Sequence, residues 1–325
     1  PSLIEQAPWT GVLEFNDGSQ PTHRFCTASI ISRRHAITAA HCILDEAVKK
    51  SCDQSPLAID RQILNGELRF AYGGHCHIVN GETMYDAGCS HDTMKRVEIS
   101  AIAVDEEVKI TNCTTFDIAI LQFKHDIEFD LITPSASPVC PPPKIMPLPS
   151  LKPATLTGFG LDRGKFHSQM QLLTGKIEEK EDIRGLPVGM LVFLPDSGKI
   201  QSGDSGSPVA VPHDNNQYIL IGVAQGITTY NEEEQQRLTN VTVSEKFSAL
   251  RYAVGSVDKA ANGSLVIESG QGATSRGNIS GDSDGGAQVL KWTGQVMIIV
   301  KEFLKLSSSE NQELQRICGK KPGKY

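Results

Sequence analysis

Gly203-Asp204-Ser205-Gly206-Ser207-Pro208 sets an acidic residue and a hydroxyl between two glycines and closes on a proline. Glycine reaches backbone conformations that other residues avoid, so such a stretch turns tightly and aims successive N–H groups at one point. The amides of Gly203 and Ser205 would then form an oxyanion pocket, with the Ser205 hydroxyl presented beside it. The same residue types also build ordinary polar turns. The choice between these readings rests on what else the chain carries.

A serine hydroxyl is a poor nucleophile until an imidazole accepts its proton, and the imidazole needs a buried carboxylate to orient it and stabilise its charged form. Thr38-Ala-Ala-His41-Cys42 follows an apolar run, and its small residues allow the backbone to pack closely behind the histidine. Phe116-Asp117-Ile-Ala-Ile-Leu121 places a carboxylate at the start of a strand, where burial without a partner would be costly. His41, Asp117 and Ser205 are therefore the candidate catalytic set.

With these residues in view, the chain resembles the trypsin-like (chymotrypsin-fold) serine proteases. The order His, Asp, Ser is that family's. Phe25-Cys26-Thr-Ala-Ser-Ile-Ile31 is similar to the strand before the histidine, Pro8-Trp9 to the opening strand, and Thr157-Gly158-Phe159-Gly160 to a turn early in the second barrel. Ser137-Pro138-Val-Cys140-Pro141 resembles the crossing segment. The resemblance spans about residues 7–254. It implies an all-β fold of two six-stranded antiparallel Greek-key barrels closed by a short helix, here near Ser244–Tyr252. It also implies a Cys26–Cys42 disulfide, peptide hydrolysis through an acyl-enzyme, and no cofactor or metal. Its expected partners are protein or peptide substrates and protease inhibitors, and the expected state is a monomer.

Several positions depart from the family pattern. The residue six before the nucleophile floors the specificity pocket, and trypsins carry Asp there. Here it is Lys199, which disfavours an Arg or Lys guest and, in an open pocket, complements an acidic one. Alternatively Lys199 turns away or blocks the pocket. The Ser-Trp-Gly wall becomes Ala224-Gln225-Gly226, and Gln201 replaces a cysteine. Asp204 corresponds to the carboxylate that pairs with a freed N-terminal amine. Pro1-Ser-Leu-Ile-Glu-Gln-Ala holds no such activation motif, so Asp204 needs either an amine from a processed chain or a different partner. Two functions remain open: a secreted endopeptidase of non-tryptic specificity, or a catalytically weak homologue that binds proteins.

The remaining features frame this reading. The 325 residues carry 31 basic and 38 acidic side chains, so no global basic footprint for nucleic acid exists. No apolar run approaches the length of a bilayer span. Eight cysteines and acceptor triplets at Asn112, Asn240, Asn262 and Asn278 favour an oxidising, extracellular setting. The first residue, Pro1, is read as a processed or truncated end. Between His41 and Asp117 the chain reads as elaborated loops holding Cys52, Cys76, Cys89 and Cys113. His75-Cys76-His77 and Cys89-Ser-His91-Asp92 admit a metal cluster, but a disulfide closing a short loop is the favoured reading, with Cys76–Cys89 nested inside Cys52–Cys113. Cys140 and Cys318 are left over: in the family the crossing-segment cysteine often ties down a pro-segment, and here it either does so or holds the C-terminal tail. Barrel 1 is assigned to about 10–133, barrel 2 to about 154–254, and a proline-rich crossing to 134–153. A Gly/Ser-rich linker follows over 255–287, then a helical tail over 288–325 in which Val289, Trp292, Val296, Ile299, Val300 and Phe303 recur at helical spacing. No internal sequence repeat is evident.

Overall fold

Apolar residues at alternating positions favour short strands, because one face of each must leave water. The computed structural model describes residues 6–16, 23–44, 59–60, 63, 67–78, 89–105, 117–129, 136–141, 153–162, 165–178, 190–213, 217–230, 233–240, 247–253, 290–294, 312 and 318. The first six strands are β1 (Thr10–Asn16), β2 (His23–Ser32), β3 (His35–Thr38), β4 (Glu67–Tyr72), β5 (Lys95–Asp105) and β6 (Ala119–Phe123). They pair antiparallel in the ring β1-β2-β3-β6-β5-β4, and β4 closes back on β1.

The chain continues with β7 (Ala154–Gly158), β8 (Leu161–Asp162), β9 (Lys165–Phe166), β10 (Gln171–Glu178), β11 (Met190–Pro195), β12 (Pro208–His213), β13 (Gln217–Tyr230) and β14 (Glu233–Asn240). Six of these form a closed barrel, β7-β10-β11-β14-β13-β12. In each ring the fourth strand lies beside the first, the 4-1-2-3 order of a Greek key. The expected pair of six-stranded barrels is therefore present, and both share one connectivity.

Each barrel buries its own core. Leu13, Ile30, Phe70, Ile102, Leu121 and Phe123 fill the first, with the rings of Phe70 and Phe123 stacked at 5.4 Å. Leu156, Leu191, Phe193, Val209, Val211 and Ile221 fill the second. Phe159, Met170 and Leu220 come from the second half of the chain yet belong to the first cluster, so apolar packing continues across the seam. Such burial contributes roughly 25 cal/mol per Å² of apolar surface removed from water. At the same seam the Thr10 and Thr157 hydroxyls bond at 2.5 Å.

Three expectations need correction. The stretch between His41 and Asp117 is not all loop, because β4 and β5 run through it. Val97 and Ile99 are buried between less buried neighbours, a period-2 pattern of a half-buried strand. The short helix near Ser244–Tyr252 is replaced by a strand, β15 (Phe247–Ala253). Its cause lies elsewhere in the chain: β4 covers β5 only as far as Glu98, and β15 pairs with the next part of β5, from Ala101 to Asp105. Backbone groups on an open edge need partners, and that demand overrides local helix propensity. The start of the tail is likewise strand, β16 (Leu290–Gly294), paired with β15, while Gln312 and Cys318 are helical. The 255–287 linker and residues 295–311 lie outside the described residues. Among the described residues no helix is long and apolar enough to cross a membrane.

Disulfides link Cys26 to Cys42, as the resemblance implies, Cys76 to Cys89, the favoured pairing, and Cys140 to Cys318, which the sequence left open. Cys52 and Cys113 lie outside the described residues. The Cys140 N–H donates to Tyr218 O at 3.0 Å and its carbonyl accepts from Leu220 N–H at 2.9 Å, so the tail is bonded to a segment already tied to β13. Replacing both partners (Cys140→Ser with Cys318→Ser) should cost about 2–4 kcal/mol, read as a lower urea midpoint. An unchanged midpoint would show that the bond adds nothing to the fold.

Candidate active site

His41 sits in a single 3-10 turn, Ala40–Cys42, between β3 and the buried Ile43. Ala39 and Ala40 are fully buried, which explains the small residues before the histidine. Asp117, just before β6, is 2% exposed. Its Oδ1 accepts the His41 backbone N–H at 2.7 Å and its Oδ2 lies 2.7 Å from His41 Nδ1. A carboxylate only accepts, so Nδ1 carries the proton and the neutral ring keeps its lone pair on Nε2. The imidazole side chain is 33% exposed, open enough to meet a substrate.

Ser205 is brought to this histidine by the strand that precedes it. The Thr27 N–H donates to Ser205 O at 2.9 Å and the Thr27 hydroxyl to Gly203 O at 3.0 Å. Thr27 follows Cys26, whose disulfide to Cys42 joins the strand to the histidine turn. Thr38 secures the arrangement by donating its hydroxyl to Thr27 O at 2.7 Å. Cys26, His41 and Cys42 lie close enough together to resemble a metal cluster, but the disulfide occupies both sulfurs.

The Ser205 turn carries two left-handed glycines, Gly203 at φ 92° and Gly206 at φ 85°. A Cβ on Gly206 would collide with Thr27 O and Thr38 Oγ1, so the position tolerates no side chain. The Gly206 N–H donates to Ala224 O at 2.8 Å, and Ala224 N–H to Ser207 O at 2.9 Å, which docks the turn on β13. Gln225 and Gly226 follow on that strand, both half-buried, at a bulge between Ala224 and Gly226. Lys199 stands exposed between Gly198, at φ 76°, and the buried Ile200.

Asp204 points the other way, into the seam. It is 7% exposed, and it accepts the Gly160 N–H at 2.8 Å and the Gln201 N–H at 2.9 Å. Among the described residues its hydrogen bonds thus come from backbone amides rather than an amine. Gly158 and Gly160 are glycines because a Cβ at either would strike this carboxylate. Burial pushes its pKa up to about 6, against the lowering influence of the two amides and of nearby His167.

Sequence reasoning singled out His41, Asp117 and Ser205, and the structure brings Asp117, His41 and the Ser205 turn together. It missed Gly160 and Gln201 as holders of Asp204. It also missed buried Glu14, whose signal was an acidic residue inside the apolar strand Gly11-Val-Leu-Glu-Phe15.

A family model described as Trypsin matches residues 1–63 and 73–253. Serine protease ea of Drosophila melanogaster is 25% identical over 183 residues, which is 56% of this chain and 42% of that relative. CLIP domain-containing serine protease B15 of Anopheles gambiae is 27% identical over 157 residues, 47% of this chain and 38% of its own. The matches therefore cover less than half the length of those curated relatives.

From about pH 4 to about pH 6 an unfolded Asp204 has lost its proton while the folded one keeps it, so this group's contribution to stability falls as pH rises through that window. The shift from the ordinary 3.8 to about 6 corresponds to on the order of 3 kcal/mol. Urea titrations at several pH values should show this loss in the native protein and its absence in Asp204→Asn. Parallel curves for the two proteins would refute the assignment.

Proposed function

The chain belongs to the trypsin family, and from that premise we propose that it is a secreted serine endopeptidase that works through an acyl-enzyme. The observation that carries the reading is the pair of hydrogen bonds that Asp117 accepts from His41, which leaves Nε2 as a proton acceptor in a turn whose Cys42 Sγ lies 3.7 Å from Ser205 O. As Ser205 Oγ attacks the scissile carbonyl carbon, its proton passes to His41 Nε2. The carbonyl oxygen takes the negative charge and is received by the N–H groups of Gly203 and Ser205. The imidazolium, stabilised by Asp117, gives its proton to the leaving amine. Water then repeats the sequence against the ester and frees Ser205. No cofactor enters any step.

Specificity follows from Lys199. An exposed ammonium at the pocket position repels an arginine or lysine guest and attracts a carboxylate, while solvent weakens both effects. The half-buried Gln225 offers less apolar surface than an aromatic wall residue would. The reading is therefore non-tryptic, with cleavage after acidic or small residues. Its substrates are proteins or peptides met outside the cell, its second class of partners is protease inhibitors, and the protein acts as a monomer.

A second reading, a trypsin-fold homologue that binds proteins with little turnover, rests on Asp204. Among the described residues Asp204 is held by backbone amides rather than by the ammonium partner that organises the oxyanion pocket in the family.

A fluorophosphonate probe separates the two. The enzyme reading expects labelling of the mature protein that disappears in Ser205→Ala and in His41→Ala; absence of labelling in every processed form favours the binding module. A peptide library should show negligible cleavage after Arg or Lys, and efficient tryptic cleavage would overturn the role given to Lys199.

A further inference from the structure

A second group of buried charges lies at the seam, away from the reacting atoms. Glu14 on β1 is fully buried, as is His77, and His77 Nε2 donates to Glu14 Oε1 at 2.5 Å. Arg96 on β5 grips the same carboxylate through two nitrogens, Nη2 to Oε1 at 2.9 Å and Nε to Oε2 at 3.0 Å, and also pairs with Asp92. Burial alone would raise the Glu14 pKa, but hydrogen bonds and charge from His77 and Arg96 hold it below the usual carboxylate range. Glu14 is therefore an anchored anion with a fixed geometry.

His77 carries that anchor across the seam. Its backbone N–H donates to Ser168 O at 2.7 Å and its ring meets Phe159 edge-on at 6.2 Å. Two residues before it, the His75 carbonyl accepts the Met170 N–H at 2.9 Å. The arm has little room to slide, because Cys76 is bonded to Cys89 and exchanges hydrogen bonds with Thr93. On the far side, His167 N–H donates to Gly160 O at 3.2 Å, and Gly160 N–H donates to Asp204 Oδ1. The nucleophile turn is thus reached from Glu14 through two packed residues, His77 and Phe159, and one glycine.

We propose that His77 is a positioning residue for the nucleophile turn: clamped by Glu14, it fixes Phe159-Gly160, the turn that holds the Asp204 carboxylate and so sets where the Gly203 and Ser205 amides point. The inference rests on the proposed role of those two amides as the oxyanion pocket. Its physical basis is that a buried carboxylate accepts few geometries without loss. Fixed by Glu14, His77 leaves the Phe159 ring one place to pack, and Phe159 cannot move without carrying Gly160. Deleting the imidazole removes one of the donors to Glu14 and the Phe159 neighbour, so Gly160 gains freedom where Asp204 needs it fixed. His77→Gln keeps an amide donor at the reach of Nε2 and preserves the first contact.

Backbone amide exchange read by mass spectrometry on the full chain tests this without requiring turnover. In His77→Leu, exchange across residues 203–206 should rise about tenfold beyond any change in the β1 and β2 peptides, and His77→Gln should restore most of the protection. An equal rise throughout the chain, or none at 203–206, overturns the proposal. Should His77→Leu fail to fold, Glu14→Gln supplies the same comparison. In peptide hydrolysis, His77→Leu should lower kcat by about 100-fold with KM within about threefold, and a change in KM alone contradicts it. Native protein that no fluorophosphonate labels defeats the hydrolase reading, whereas the exchange comparison still decides the role of His77.

Discussion

Asp117 has 2% of its surface exposed, and His41 occupies both of its oxygens, one through the backbone N–H and one through the ring. An ionised carboxylate this deeply placed is tolerable only while it is paired. The requirement fixes more than a side chain. It ties the start of β6 to the turn after β3, and the Cys26–Cys42 disulfide carries that restraint into β2. From β2, Thr27 holds the Ser205 turn. Three segments far apart in the chain therefore converge through one buried anion, and the imidazole is left with its lone pair turned away from the carboxylate.

The seam between the barrels is organised by two further buried carboxylates, each solved differently. Glu14 is met by a histidine and a bidentate arginine, while Asp204 is met by two backbone amides and is pushed toward its neutral form. The contrast follows from what surrounds them: the strand β5 can deliver a charged side chain to Glu14, whereas the glycine turn 158–160 offers Asp204 only N–H groups. Asp204 belongs to the Gly203–Gly206 turn, and Glu14 is linked toward it through His77 and Phe159. In the proposed reading, fold stability and the geometry of the reacting groups therefore depend on the same contacts.

Much of this was legible in the chain. Gly203-Asp-Ser-Gly206, Ala39-Ala-His41-Cys42 and Asp117 before an apolar run are local patterns whose chemistry restricts the residue types allowed, so they can be read without coordinates. Thr157-Gly-Phe-Gly160 was visible as a motif, but its reason was not, because Asp204 fills that space from 44 residues away. β15 was misread as a helix for a related cause: its local pattern fits one, yet the uncovered part of β5 more than 140 residues earlier in the chain determines its conformation. Glu14 and His77 illustrate the same limit, since each is unremarkable alone and their bond spans 63 residues. What escaped sequence reasoning was pairing over distance rather than residue chemistry.

The most direct measurement on the central claim is a crystal structure of the mature protein after reaction with a phosphonate inhibitor. The account requires phosphorus bonded to Ser205 Oγ, with a phosphoryl oxygen about 2.7–3.1 Å from the N–H groups of both Gly203 and Ser205. His41 Nε2 should face the ester oxygen while Nδ1 stays on Asp117. An adduct on another residue, or a phosphoryl oxygen turned away from the two amides, would contradict it.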